Sequence, residues 1–498
     1  MLLSLRERPD HPSFHASPCR TAVLLCVAMV GLSFIISAGN AIQNTRPINY
    51  DDLPVELSGW LNQQGVNREN FVTRISTIRQ QTEERELIGE FDHLIFFLLQ
   101  SSRFTAQPKI EPAISAYEFV QSLGETERAR FLAKDSNHLP PAEKIPKPVK
   151  RRIADFVKAL KAKTSSSDER LSYFDNLLRK TNSLNVEIRL SNEYLRAMRF
   201  LYHKEFASRS LKQEELAAYV ASLYQTRGHS TDTQIEANFA VYQALQVLKF
   251  SSPTAELNRV LIVGPGLDFA PRTDLLDLFE PQSYQPFAVA DALLRLKLAD
   301  ESKLQIHCAD INDRVLNYLQ SLRQRREVRL AILTGVKDSA AHPIADDYKT
   351  YFSDFGTRIG VESGLNAPPQ LSEKLAENLA GRLGKSLRVR PEIAKTIIAH
   401  RLNIVTDRLA GSPQFDLVIV TNVFPYFNAP ELLFALTNIS AMTANGGYLI
   451  HNELQTVPSN FVNALGLPLR QARTVMITSD KAAPLFDGVA IHQKTSRL

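Results

Sequence analysis

The chain has 498 residues, of which 44% are hydrophobic and 22% charged, a composition typical of a globular protein with two or three domains. Its 58 Lys and Arg against 53 Asp and Glu leave a net charge of +5, too small to predict a nucleic-acid partner. Of three cysteines only Cys308 lies in the body of the chain, which excludes a disulfide framework and a thiolate metal cluster, and we predict no metal site.

The first 41 residues have the pattern of an export signal. Three arginines up to Arg20 precede the almost wholly apolar run AVLLCVAMVGLSFIISA, and small residues follow it. This order is typical of a signal peptide or signal anchor over residues 1–41. It predicts an exported protein, or a single-pass anchored one that contacts the membrane through residues 21–38 if the segment is uncleaved. A misassigned start site would instead make the protein cytoplasmic.

Residues 42–250 are predicted to form a helical region. The stretches FVTRISTIRQQTEERELIGEFDHLIFFLLQ and EELAAYVASLYQ carry apolar residues at helical spacing and few helix breakers. A Pro-rich linker at about residues 139–148 interrupts the helices, because proline cannot continue a helix.

Residues 251–498 alternate between apolar strand patterns and helical patterns. RVLIVG, LQIHCAD, FDLVIV and GGYLIH are typical of buried parallel strands, whereas RVLNYLQSLRQRR and PELLFALTNISAM are typical of helices. The alternation predicts the α/β fold class: a helical N-terminal region followed by a doubly wound, Rossmann-like domain. An insertion is expected at about residues 320–390.

Polar residues stand where these predicted strands end. Gly264 and Gly266 follow the first strand, Asp310 the second, Asn422 the third and Glu453 the fourth. Doubly wound sheets bind ligands at this edge, and an acid after the second strand can accept both hydroxyls of a ribose. The alternative for Asp310 is to cap the following helix. A nicotinamide oxidoreductase is disfavoured because the first loop lacks the full glycine fingerprint.

These motifs resemble the class I S-adenosylmethionine-dependent methyltransferases, and within them the CheR-type protein methyltransferases, which methylate glutamates of chemoreceptors. SYQPFAVADALL is similar to the family's Glu-Pro-Tyr-Ser helix, and CADINDRVLNYL to its ATDI strand end and helix. LRVRPEIAKTIIAHRLNIV resembles the family segment that ends in Asn-Leu. FDLVIVTNVFPYF resembles the pattern FDLIFCRNVLIYF, and GGYLIHNE the closing GGYLFLGHSE. The resemblance covers roughly the last half of the chain.

The resemblance implies S-adenosyl-L-methionine as cofactor and methyl transfer to a protein carboxylate or a small acid. The cofactor-binding residues that it implies are Gly264, Gly266 and Asp268 in the first loop, Asp310 and Ile311 at the ribose, Asn403 and Ile404 at the adenine, and Asn422 and Val423 near the methionine part. It names no catalytic residue, since a carboxylate acceptor is ionised at neutral pH and needs no general base.

Two features oppose a methyltransferase. The family has Ser-Thr-Gly-Glu-Glu in the first loop where this chain has Gly-Pro-Gly-Leu-Asp, and an exported domain would not meet the cofactor. The alternative hypothesis is a non-catalytic exported or membrane-anchored binding protein that retains the fold.

Two further residues near the motifs have open roles. Tyr426 is expected either to line the acceptor pocket or to pack in the core. His229 either covers the pocket or merely precedes a polar cluster, residues 230–232, that caps the next helix.

Overall fold

A computed structural model gives the fold of the chain from Thr45 onward, where residues 45–498 form one compact unit. The predicted signal segment 1–41, with the membrane contact of residues 21–38, lies outside the described residues. No helix within the described part is long and apolar enough to cross a membrane. The described residues are 45–133, 136–162, 168–181, 185–268, 276–277, 279–365, 376–377, 379–411, 414–454, 456–479 and 484–495.

The N-terminal region is helical, as predicted. Its longest helix, α2, has 30 residues and buries mainly its C-terminal half, which carries the run FDHLIFFLL. Helix α5 begins at the end of the Pro-rich linker, with a proline in its first turn, where proline is tolerated. The helices are α1 (Ser58–Gln63), α2 (Phe71–Gln100), α3 (Pro112–Ser122), α4 (Glu125–Leu132), α5 (Lys147–Lys161), α6 (Glu169–Lys180), α7 (Val186–Glu205), α8 (Gln213–Thr226) and α9 (Ile235–Ser251).

The C-terminal half contributes further helices and nearly all the strands. The helices are α10 (Gln285–Arg295), α11 (Asp313–Leu322), α12 (Asp346–Asp354), α13 (Pro391–Lys395), α14 (Ala429–Met442) and α15 (Ser459–Ala464). The strands are β1 (Thr45–Pro47), β2 (Arg259–Val263), β3 (Gln305–Asp310), β4 (Val328–Leu333), β5 (Gly360–Ser363), β6 (Gly384–Val389), β7 (Ile397–Arg401), β8 (Asp407–Leu409), β9 (Phe415–Val420), β10 (Thr443–His451), β11 (Leu469–Thr478) and β12 (Leu485–Gln493).

Seven strands form the central sheet, in the order β7-β3-β2-β9-β10-β12-β11. The first five are parallel, whereas β12 is antiparallel to both of its neighbours. Numbered along the chain, the parallel strands follow the order 3-2-1-4-5 of dinucleotide-binding folds, and the order reverses between β2 and β9. The predicted doubly wound α/β fold is confirmed.

The middle of the sheet is covered on both faces, which explains why β2 and β9 are apolar over most of their length. Val260 and Ile262 of β2 belong to a core that also contains buried residues of the N-terminal helices. Leu261 and Val263 point to the opposite face, where they share a core with α14. Cys308 in β3 is buried and free, as the apolar strand pattern predicts.

The expected insertion at about residues 320–390 contains strands that the sequence patterns did not predict. In its described part, β4, β6 and β5 form a small antiparallel sheet in that order, with α12 beside it in sequence. Its short strands mix polar and apolar residues, so they lack the continuous apolar runs of the central sheet.

Candidate functional site

A cavity lies at the carboxyl ends of β2, β3 and β9, at the point where the strand order reverses. Its empty volume is about 860 Å³, with the space at its open mouth included. Ligands of doubly wound folds bind at this place. Eight of the nine residues predicted from the sequence line the cavity: Gly264, Gly266, Asp310, Ile311, Asn403, Ile404, Asn422 and Val423.

The first loop needs glycine at two positions. Gly264 and Gly266 have φ angles of +68° and +64°, which side-chain-bearing residues rarely adopt. A Cβ atom on Gly264 would lie 2.6 Å from Cγ2 of Val423, and one on Gly266 would lie 2.6 Å from the carbonyl oxygen of Thr231. The loop is therefore packed directly against residues 229–233 and against the loop after β9, which are two of the segments that line the cavity.

Asp268, the ninth predicted residue, is not among the lining residues of this cavity. Its backbone pairs with Gln282, and its carboxylate accepts a hydrogen bond from the hydroxyl of Tyr284. The side chain thus connects the first loop to the segment before α10.

Asp310 lies at the end of β3, with its carboxyl group in the cavity wall. Burial raises the pKa of this carboxyl to about 6, although the backbone N–H groups of Asn312, Gly266 and Ile311 act in the opposite direction. The N-cap of α11 is Asn312, whose Oδ1 accepts from the N–H of Arg314 at 2.9 Å. The capping role that the sequence left open for Asp310 therefore belongs to Asn312.

The two predicted asparagines are held by other side chains. Asn403 donates through Nδ2 to Oγ1 of Thr82 at 3.1 Å. Asn422 has a φ of +58°, and its N–H donates to Oδ1 of Asn452 at 2.9 Å, while Nδ2 of Asn452 donates back to Oδ1 of Asn422 at 3.0 Å. Asparagine tolerates this backbone conformation better than most residues, so the loop after β9 depends on its identity.

Glu453, at the end of β10, fixes the same loop. Its Oε1 accepts from the N–H of Val423 at 3.0 Å. Burial raises the pKa of this carboxyl to about 8; the N–H of Val423 lowers it and Asp487 raises it further. The carboxyl is therefore largely protonated at neutral pH.

The N-terminal helices contribute residues that sequence reasoning did not single out. Thr82 and Glu86, one turn apart on α2, line the cavity beside Asn403 and Asp310. Burial raises the pKa of Glu86 to about 7. The sequence holds no local signal for them, because polar residues on a long helix usually face solvent.

Arg85, between these two residues, joins α2 to the cavity walls. Its guanidinium donates to the carbonyl oxygens of Tyr426 at 2.9 Å, Tyr224 at 2.8 Å and Arg227 at 3.0 Å. A planar group with fixed donor directions can satisfy three carbonyls at once. The side chain thus holds α2, the end of α8 and the loop after β9 together.

Residues 229–233 also line the cavity. Their path requires Gly89 in α2, because a Cβ atom there would lie 1.8 Å from the carbonyl oxygen of His229. Burial, with Arg85 nearby, lowers the pKa of His229 to about 3, so its imidazole is neutral at physiological pH. The capping role expected for residues 230–232 is wrong: the N-cap of α9 is Gln234, and the three residues line the cavity instead.

The described lining is acidic and partly aromatic. It includes the carboxyl groups of Glu86, Asp232 and Asp310 and the rings of Tyr426 and Phe427. Among the described residues that line the cavity, none is Lys or Arg. Such a lining favours a ligand with positive charge and hydrogen-bond donors. Within the same described ranges, no group of three His, Cys, Asp or Glu is placed to hold a metal ion.

No family model and no curated protein matches the chain. Among solved structures, the chain is similar to the N-methyltransferase NodS from Bradyrhizobium japonicum WM9 in complex with S-adenosyl-L-homocysteine, at 12% identity and a TM-score of 0.24, over 51% of this chain and 87% of that one. It is also similar to magnesium protoporphyrin IX methyltransferase from Synechocystis PCC 6803 with bound S-adenosylmethionine, at 8% identity and a TM-score of 0.26, over 52% and 81% of the two chains.

A third similar structure is a TehB-like S-adenosylmethionine-dependent methyltransferase from Corynebacterium glutamicum, at 11% identity and a TM-score of 0.23, over 52% of this chain and 99% of that one.

Proposed function

We propose that the protein is an S-adenosylmethionine-dependent methyltransferase. The observation that carries the proposal is the cavity at the switch point of the sheet, where Asp310 ends the second parallel strand and two positive-φ glycines follow the first. A carboxylate at this strand end suits the paired hydroxyls of a ribose, and glycines let a ligand approach the backbone closely. The resemblance of the motifs around these residues to methyltransferases supports the same assignment.

The lining residues fit this cofactor. S-adenosylmethionine supplies a methyl group activated by a positively charged sulfur, and the protein supplies position and electrostatics. The carboxyl groups of Asp232, Glu86 and Asp310 provide hydrogen-bond acceptors around the site. The loop after β9, held by Asn452 and Glu453, and the rings of His229 and Tyr426 orient the acceptor and exclude water from it.

The acceptor that we propose is a carboxylate, on a protein or a small acid, as in the CheR-type enzymes that the sequence resembles. Because burial lowers the pKa of His229 to about 3, its imidazole is a weak base at neutral pH, which suits an acceptor that needs no general base. Methyl esters release methanol in alkali, whereas N-methyl groups and methyl ethers do not. Label transferred from [methyl-³H]S-adenosylmethionine should therefore become volatile in base, and base-stable label would contradict a carboxylate acceptor.

Binding of S-adenosylhomocysteine to the purified full-length protein, measured by titration calorimetry, tests the assignment. We expect binding to the wild type and a loss of at least about tenfold in affinity for Asp310→Ala, since a hydrogen bond to a charged group contributes about 1.5–3 kcal/mol. The control is Asp347→Ala, at an exposed position of α12. A folded wild type that does not bind millimolar ligand would exclude the assignment.

The second candidate is an exported or membrane-anchored binding protein without catalysis. The position of Asp268, which bonds to Tyr284 outside the described cavity lining, supports it, because the first loop is where the motifs depart from the family. Protease treatment of intact cells that carry a tagged chain locates the domain. Protection from the protease favours the enzyme, and cleavage favours the binding protein.

A further inference from the structure

Glu86 stands where two cavities meet. It lines the cavity at the strand ends and also a second one, with about 2020 Å³ of empty space including its mouth, which extends between α2, α6 and α11. One turn before it, Thr82 is fixed by Asn403, so this face of α2 is directed at the site and not at solvent. Asn312, two residues after Asp310, also lines both cavities.

The carboxyl group of Glu86 has no hydrogen-bond partner among the residues that the structure describes, although it is only partly exposed. The charged groups that face it are Arg401, which favours its ionised form, and Asp313, Glu90 and Asp310, which oppose it. Arg401 is itself engaged with Asp313 at 2.6 Å. A carboxyl group that lines a cavity and is paired with no described protein group can accept hydrogen bonds from a ligand in that cavity.

We propose that Glu86 is a specificity-determining residue that accepts hydrogen bonds from the adenosyl group of the cofactor, opposite Asp310. This inference rests on the proposed function and deepens it. Two carboxyl groups at one end of the cavity select a ligand with several O–H and N–H donors, such as the ribose hydroxyls and the amino group of adenine. Cofactor recognition is then shared between the sheet and a helix of the N-terminal region.

The test uses the full-length protein, with S-adenosylhomocysteine and free adenosine as probes in titration calorimetry at pH 8. Glu86→Ala should lower the affinity for both ligands by the same factor, about tenfold. Glu86→Gln should lower the affinity by less, because the amide retains one acceptor oxygen. The matched control is Glu84→Gln, on the same helix at an exposed position. Circular dichroism and a urea midpoint show whether each variant is folded.

A pH series provides a readout that a merely structural role would not change. The affinity for adenosine, which does not titrate between pH 6 and 8, should rise with pH as Glu86 ionises, and Glu86→Gln should remove most of that rise. The remainder belongs to Asp310, whose pKa is about 6. Equal affinities of folded wild type and Glu86→Ala would overturn the inference alone, whereas absence of binding by the wild type would overturn the proposed function as well.

Discussion

The imidazole of His229 lies nearly parallel to the phenol ring of Tyr426, with 5.3 Å between the ring centroids and 12° between the planes. The N–H of Ser230 donates to the Tyr426 hydroxyl at 3.4 Å. One ring precedes the central sheet in sequence and the other follows its fourth parallel strand. The pair therefore joins the helical half of the chain to the loop after β9 at the cavity.

Arg85→Lys should loosen this junction. One ammonium group cannot reproduce the directions of a guanidinium that donates to Tyr426, Tyr224 and Arg227. We expect a loss of about 2–4 kcal/mol in the free energy of unfolding by urea, since buried carbonyls lose charged donors. Arg74→Lys, at an exposed position of the same helix, is the control and should have the wild-type value. Equal stability of both variants would show that Arg85 does not hold the walls together.

Alanine substitutions at the two loop glycines, Gly264 and Gly266, should lower the free energy of unfolding by different amounts. At both positions the left-handed backbone costs about 1–2 kcal/mol for a residue with a Cβ atom. Gly266→Ala should cost more than Gly264→Ala, because its Cβ would meet the backbone oxygen of Thr231, whereas Val423 presents a movable side chain. Urea denaturation measures the difference. Gly59→Ala, in a helix with open space around it, should be neutral or stabilising.

His229→Gln should reduce the loss of folding stability at low pH. The folded pKa of about 3 lies below the unfolded value of 6.5, so the unfolded chain binds more protons between these pH values and stability falls as the pH falls. Removing one such group should decrease the slope of the free energy of unfolding against pH by at most about 1.4 kcal/mol per pH unit in that window. Urea midpoints from pH 7 to pH 4 measure it. The matched histidine variant for comparison is His342→Gln, at an exposed position.

Glu453→Gln should change how steeply the free energy of unfolding depends on pH between pH 5 and 8. The folded pKa of about 8 lies above the unfolded value of 4.5, so the folded chain binds more protons in between, and stability falls as the pH rises through that window. The amide keeps an acceptor for the N–H of Val423 and removes the titration. Between pH 5 and 8, the free energy of unfolding of the variant should therefore fall less steeply than that of the wild type. The difference in slope should be at most about 1.4 kcal/mol per pH unit.

The control for this prediction is Glu392→Gln, which changes an exposed carboxylate. If Glu453→Gln and the wild type had parallel stability curves, burial would not be raising the pKa of Glu453. A curve shifted for both variants would indicate a general effect of charge.

Local sequence patterns identified the residues at the strand ends but not the contacts that each of them makes. Asp310 and Asn312 are both capping residue types, and only the contacts show that Asn312 bonds to the first turn of α11. Asp268 follows the glycines at a plausible spacing, yet its carboxylate bonds to Tyr284. Thr82 and Glu86 had no signal, because a helix pattern does not reveal which polar residues another part of the chain will cover.

The sequence by itself determined the parallel strands and the polar residues that end them, since an apolar run closed by a polar residue or a glycine is a local pattern set by burial on both faces of a sheet. Only the tertiary structure decided what closes the cavity. Its walls join α2, residues 229–233 and the loop after β9, which meet because Gly89 leaves room for one backbone to cross another and Arg85 binds three carbonyls. Contacts between such distant segments depend on packing, which no local pattern contains.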